Sequence, residues 1–221
     1  MATNIVGANL YIPFKYGFKF IDRYIVDLSK HGYKVLAITT IDLDKLAENS
    51  RLVRELQENH KDIRIFPRFH ITSEFIIRNN ISRRDFYKLL AKVRLHSCIV
   101  TADDIILDYI SVNDVKKLAF LTLERPSITR ILKVFKHKVI YEAHLSKLLD
   151  VNWLSRNTHI LKLLAENNLL ILSYGEYTYP IMKPNTLAYT LGGLINVNRP
   201  LINAISTIPW GIVRNACEVF P

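Results

Sequence analysis

Apolar residues are spaced along this chain in two alternating ways: short unbroken runs, and longer stretches with an apolar position every three or four residues. Leu118 to Leu123 (LAFLTL) is such a run, the pattern of a strand buried on both faces of a parallel sheet. Arg125 and Pro126 end it. Ser127 has the position of an N-cap, after which Ile128, Ile131, Leu132 and Phe135 share one helical face and Arg130, Lys133 and Lys136 the other. Val139, Ile140 and Tyr141 predict the next short strand, 142–153 a loop, and 155–166 a second helix with Ile160, Leu161, Leu163 and Leu164 as its stripe. Leu169 to Leu172 return as a third strand. Strands alternating with helices predict parallel pairing with right-handed crossovers.

The same rhythm extends to both ends. Ile5 to Ile12 predicts a first strand broken by Pro13, and Phe18 to Lys30 an amphipathic helix stopped by Gly32. Val35 to Thr39 predicts the second strand, and Asp42 caps a charged helix reaching Asn59. Ile63 to Ile71 alternates apolar residues with Arg64, Arg68 and His70, a period-two strand signal, while Pro67 points to an edge position or a break. Ser82 to Leu95 reads as a helix, Cys98 to Thr101 as a strand, and Asp103 or Asp104 as the cap of a short helix through Tyr109. Downstream, 173–184 is a tyrosine-rich loop, Pro184 opens a helix ending at Gly192 and Gly193, and 201–205 and 209–220 close the chain. Roughly seven to nine alternations, with no low-complexity linker and no repeat, favour one α/β domain over 1–221. A TIM-type barrel is expected, with an open doubly wound sheet as the alternative.

Composition supports a packed core: 49% of residues are hydrophobic, 23% are charged, and there are only 7 Gly and 8 Pro. No run approaches the roughly 18–20 apolar residues of a membrane span. The first twenty residues carry lysine and proline where a signal peptide has its apolar stretch, so a cytoplasmic place is expected. Cys98 and Cys217, far apart in a long chain, are expected as reduced buried thiols. Charge is the more informative quantity. The 30 Lys and Arg against 20 Asp and Glu leave +10 and a pI near 9.6, which points to a polyanionic partner. The excess is clustered: 61–100 and 116–147 each carry +6, whereas 101–115 carries −4.

Catalytic patterns are absent from the sequence. His31, His60, His70, His96, His137, His144 and His159 form no His-x-His or His-Glu-x-x-His spacing, and no Cys-x-x-Cys accompanies them. Neither a metal site nor catalytic residues are therefore expected. Gly192-Gly193 lacks the Lys-Ser or Lys-Thr of a phosphate loop, and Asp103-Asp104 is read as helix capping. The basic residues carry the functional expectation. Arg125, Arg130, Lys133, Lys136, Lys138, Lys147 and Arg156 fall at strand ends and along helices, interleaved with Tyr141, His144 and Trp153. In a barrel they are expected to gather at one rim and bind structured RNA.

An ordered set of residues adds a family resemblance. Arg125-Pro126, a helix, Tyr141-Glu142, Leu148-Leu149, Arg156 and a Leu-rich helix are followed by the strand of Leu170 to Gly175. Pro184, Leu191-Gly192 and Ala204 to Thr207 come next. In this order, over about residues 85–221, the chain resembles protein component 3 of archaeal and eukaryotic ribonuclease P. Ser146-Lys147 and Tyr174 depart from the family pattern. The resemblance implies a TIM-like barrel akin to the polymerase and histidinol phosphatase superfamily, without that superfamily's metal-binding histidines. It implies a non-catalytic, RNA-binding subunit of the ribonucleoprotein that removes the 5′ leader from precursor tRNA. No cofactor is expected on this chain, and the Mg²⁺ belongs to the partner RNA. The implied partners are that RNA, protein component 2 in a heterotetramer, other protein subunits and, through the complex, precursor tRNA; no membrane is implied. Two rival classes are a metal-dependent phosphoesterase on the same barrel and a protein adapter with an acidic partner.

Overall fold

Seven strands lie side by side in chain order in the computed structural model, which describes residues 6–175, 180–197 and 201–217. They are β1 (Gly7–Pro13), β2 (Tyr33–Thr40), β3 (Arg64–Ile71), β4 (Ile99–Asp103), β5 (Phe120–Thr122), β6 (Tyr141–His144) and β7 (Leu170–Ser173), and every neighbouring pair is parallel. Parallel neighbours require a crossover that returns the chain to the starting end, and helices supply it each time. These are α1 (Phe18–Lys30), α2 (Leu46–Asn59), α3 (Ser73–Arg78), α4 (Arg83–Arg94), α5 (Val112–Val115), α6 (Ile128–Phe135), α7 (Leu145–Leu148) and α8 (Val151–Glu166). After β7 come α9 (Pro184–Leu194), α10 (Ile202–Ile205) and α11 (Thr207–Cys217). The result is a nearly closed α/β barrel. Among the described residues, no helix is long and apolar enough to cross a membrane.

The sheet curls until its first and last strands meet, and side chains rather than a backbone ladder join them. The Tyr174 backbone N–H donates to Asn9 Oδ1 at 3.0 Å, and the Leu10 N–H donates to Ser173 Oγ at 3.3 Å. Gly175 makes the turn that follows. Its φ is +73°, and a Cβ there would lie 2.7 Å from the Cβ of His144, so both backbone and neighbour require glycine.

The helices bury the faces that their periodicity marks: Ile21, Tyr24, Ile25 and Leu28 of α1, and Phe86, Leu89, Leu90 and Val93 of α4. Ser82 caps α4 through the Asp85 N–H, and Asp150 caps α8 through the N–H groups of Asn152 and Trp153. Inside the barrel, Ala8, Leu10, Val35, Ala37, Ile99, Phe120 and Ile171 pack on one another. From the end where the strands begin, Ile212, Val213 and Cys217 of α11 close over them.

Several expectations change. Cys98 and Cys217 are joined in a disulfide rather than free, because α11 folds back under the start of β4 and brings together residues 119 apart in sequence. Pro67 lies inside β3, paired with Ile38 of β2; the ladder to β4 begins one residue later, at Arg68, so the missing N–H interrupts nothing there. Asp42 caps a short 3-10 turn at Leu43–Lys45, with α2 following. Ser127 has the N-cap position of α6 but makes no side-chain cap bond. The next strand starts at Tyr141 rather than Val139, so Glu142 and His144 belong to β6 and not to a loop.

Candidate functional site at the barrel mouth

Above the apolar floor, the barrel interior turns polar. Arg68 of β3 is fully buried, and all five of its N–H donors have acceptors. Nη1 and Nη2 grip Glu142 Oε1 and Oε2 of β6 at 2.9 and 2.7 Å. Nε reaches Thr101 Oγ1 of β4 at 2.9 Å, Nη1 the Leu10 carbonyl of β1 at 2.6 Å, and Nη2 Thr122 Oγ1 of β5 at 3.2 Å. Glu142 in turn accepts from Ser173 Oγ at 2.6 Å, Thr122 Oγ1 at 2.9 Å and His144 Nε2 at 3.0 Å. Six of the seven strands thus meet in one hydrogen-bonded layer. Phe120 lies below the guanidinium at 4.7 Å and Tyr11 beside it at 5.1 Å. Burial opposes ionisation of Glu142, but the charges of Arg68 and His144 outweigh it and hold this carboxyl well below the usual range.

His70 is the first residue on the mouth side of this layer. Its Nδ1 meets Thr101 Oγ1 at 3.0 Å, while Nε2 has no hydrogen-bond partner among the described residues. Burial, with Arg68 adding to it, pushes the imidazole pKa down to about 3, so His70 is neutral at physiological pH. It lines a cavity of about 580 Å³ at the C-terminal ends of the strands, together with Tyr11, Ser73, Asp103, Tyr109 and Arg125. In barrels of this architecture that end is where loops assemble binding sites.

The two aspartates do different work from the capping expected of them. Asp103 has the N-cap position of a 3-10 turn at Asp104–Asp108 but makes no cap bond there. Its Oδ2 accepts the Ser73 N–H at the start of α3, at 2.7 Å, and Oδ1 is buried without a partner among the described residues. Burial pushes this carboxyl up to about 6. Asp104 Oδ1 instead fixes the turn after β5, accepting the N–H groups of Glu124 and Arg125 at 2.7 and 3.0 Å.

Asp103→Asn is expected to stabilise the fold above pH 6. Its folded pKa lies above the 3.8 of the free side chain, so the favourable protonated state is complete below about 3.8 and lost as pH rises through about 6. At pH 8 the gain is at most about 3 kcal/mol, from 1.36 kcal/mol per unit. Urea melts of variant and parent at pH 5 and pH 8 measure it; an equal difference at both would contradict the assignment.

The seven basic positions do not gather at one rim. Arg125 lines the mouth cavity, and Arg156 is exposed in the first half of α8, which starts at the same end. Arg130 is held by Asp104 at 3.3 Å and Asp108 at 2.9 Å, and Lys147 by Glu124 at 3.0 Å. Lys133 stands in the last turn of α6, and Lys136 and Lys138 follow it before β6 begins, which puts these three at the opposite end of the barrel. Trp153 donates its indole N–H to the Glu124 carbonyl at 3.4 Å, and Tyr141 is a buried strand residue. The polar interior layer has one trace in the sequence, the alternation of Arg68 and His70 with apolar residues, which marks one face of β3 as polar.

This is a parallel α/β barrel with a polar interior and an open, charged mouth. No family model matches the chain, and no curated protein matches it. Among solved structures similar to it, the phospho-2-dehydro-3-deoxyheptonate aldolase (DAHP synthase) of Thermotoga maritima is 13% identical at a TM-score of 0.39, over 63% of this chain and 41% of its own. A conserved protein of unknown function from Enterococcus faecalis is 11% identical at a TM-score of 0.42, over 75% of this chain and 47% of its own. The chain spans less than half the length of either.

Proposed function

We propose that the chain is a non-catalytic, RNA-binding subunit of ribonuclease P, the ribonucleoprotein that removes the 5′ leader from precursor tRNA. The finer form of the fold goes with it: a barrel of the polymerase and histidinol phosphatase kind. The observation that carries the reading is a basic surface at the end of the barrel where the strands begin. Desolvation, with Lys116 and Lys136 adding to it, lowers the pKa of His137, so cations from two crossovers converge there. Lys133, Lys136 and Lys138 are exposed, and none has an ion pair among the described residues. Arg94 donates to the Lys117 carbonyl at 2.7 Å, adding two cations at the same end. Lys138 also holds φ at +54°, a left-handed turn that glycine or asparagine would fill at lower cost. A lysine in this left-handed turn, beside other exposed lysines, is a placement that phosphate contact would explain.

The order of residues that resembles component 3 of ribonuclease P supports that RNA as the polyanion. Component 2 is its proposed protein partner, in a heterotetramer, with Mg²⁺ held by the RNA. Precursor tRNA cleavage tests the reading. The chain alone, in Mg²⁺ or Mn²⁺, is expected to leave precursor tRNA and generic phosphoesters intact. Added to the RNA and the other subunits, it is expected to raise 5′ cleavage. Turnover by the chain alone, lost on changing His70 or His144, would instead establish the phosphoesterase alternative.

A further inference from the structure

The mouth cavity lies at the other end from the lysines, and it carries unmet chemistry of its own. Ile41, Ile77 and Tyr109, more than half exposed at 56%, 55% and 52%, all border this one cavity of about 580 Å³. Apolar groups clustered around a concave opening mark a contact surface. Beneath them, Asp103 is only 4% exposed, and its Oδ1 lacks a partner among the described residues. A buried acceptor left unmet costs about 1–3 kcal/mol, so a donor from outside the chain is favoured there. His70 lines the same cavity, and its Nε2 has no hydrogen-bond partner among the described residues.

The rim supplies a matching cation. Glu124 is held by Lys147 at 3.0 Å, and Arg78 by Glu74 at 2.5 Å, so these charges are already balanced within the chain. Arg125 is exposed and has no ion pair among the described residues, although its backbone is fixed by Asp104. The cavity therefore offers an apolar and aromatic rim, a buried acceptor and a free guanidinium. A simple amine would satisfy Asp103 and leave Arg125; a simple phosphate would do the reverse. A flat ring bearing an amino group and linked to a phosphate satisfies both, and its size suits a cavity within the ~300–1,000 Å³ typical of small-ligand sites.

We propose that the mouth binds a nucleotide with an exocyclic amine: the ring against Tyr109 between Ile41 and Ile77, the amine on Asp103 Oδ1 and the phosphate on Arg125. A free mononucleotide and an unpaired nucleotide of a bound RNA present the same chemistry. The site stands apart from the lysine surface, so either can fail without the other; it deepens the RNA reading where RNA is the source.

Adenosine 5′-monophosphate is the probe, followed by calorimetry and by fluorescence of Trp153, whose indole bonds the Glu124 carbonyl beside the rim. Uridine 5′-monophosphate, which lacks the amine, and ribose 5-phosphate are the controls. Adenosine monophosphate is expected to bind the intact chain more tightly than either control. Asp103→Asn keeps an oxygen for the Ser73 N–H and turns a donor toward the amine. It should weaken adenosine monophosphate by about tenfold or more while leaving ribose 5-phosphate unchanged. Arg125→Ala should weaken all three alike. Thermal melts confirm that each variant is folded, and Asp103→Asn is expected to melt no lower than its parent. Displacement of labelled RNA by adenosine monophosphate identifies RNA as the source; binding without displacement identifies the free nucleotide. No saturable binding of adenosine monophosphate up to millimolar concentration overturns the proposal, as does binding that neither variant changes.

Discussion

Removing either partner of the buried Arg68–Glu142 pair will cost about 3–5 kcal/mol of folding stability, with Arg68→Met and Glu142→Gln as the variants to make. Both side chains are wholly buried, and the pair is bidentate, at 2.9 and 2.7 Å. Loss of Arg68 leaves a buried carboxylate facing Ser173, Thr122 and His144 without its guanidinium partner. Loss of the Glu142 charge leaves five guanidinium donors among neutral oxygens. The double variant Arg68→Met/Glu142→Gln should be less destabilised than the sum of the two single changes, because no unpaired charge stays behind. Urea unfolding at neutral pH gives all of these values. Strictly additive losses would show that the two side chains act by packing alone.

Acid should weaken the same layer. The folded pKa of Glu142 is depressed, so its contribution is complete above about 4.5 and lost as pH falls through the lower folded value. His70 works in the same direction: its folded value of about 3 lies below the 6.5 of the free imidazole, so the unfolded chain takes up that proton first. Asp103 opposes them between about 3.8 and 6, which is why its variant is compared with its parent at each pH.

The barrel was legible in the sequence because buried parallel strands write unbroken apolar runs, as at Leu118 to Leu123, and crossover helices write a three-to-four repeat, as in α1, whose bounds match. The polar layer was hidden for the converse reason. Glu142 and His144 interrupt apolarity at the place where β6 runs, so the apolar pattern ends the strand at Tyr141 and makes its polar part look like loop. What makes Glu142 a strand residue is Arg68, 74 positions away, and no local pattern records that. The disulfide has the same character: sequence distance between Cys98 and Cys217 says nothing of α11 folding back beneath β4. Of the seven basic positions, composition selected the residues but not their ends. A helix carries its chain from mouth to floor, so α6 takes Lys133, Lys136 and Lys138 away from Arg125.

That separation sets the second large effect, in RNA affinity. Changing Lys133, Lys136 and Lys138 together to Gln should flatten the slope of log affinity against log salt by roughly 2–3, because each lost phosphate contact releases about 0.7–0.9 fewer counterions. Near 0.1 M salt, this corresponds to roughly 10²–10³-fold weaker binding on the same scale. Arg125→Ala with Arg156→Ala, at the opposite end, should cost less, roughly 1–3 kcal/mol on the scale of charge-assisted hydrogen bonds. Arg130 and Lys147 are already neutralised by Asp104, Asp108 and Glu124, so their loss should leave the slope nearly unchanged. Lys138→Gly separates binding from folding. It relieves the left-handed φ of +54° and should raise stability by about 1 kcal/mol while weakening RNA binding, a combination that a purely structural lysine would not give. Filter binding from about 50 to 200 mM salt, with urea melts alongside, reads both quantities. A parental slope retained by the triple variant would move the RNA to the mouth, where Arg125 and Arg156 would have to carry it.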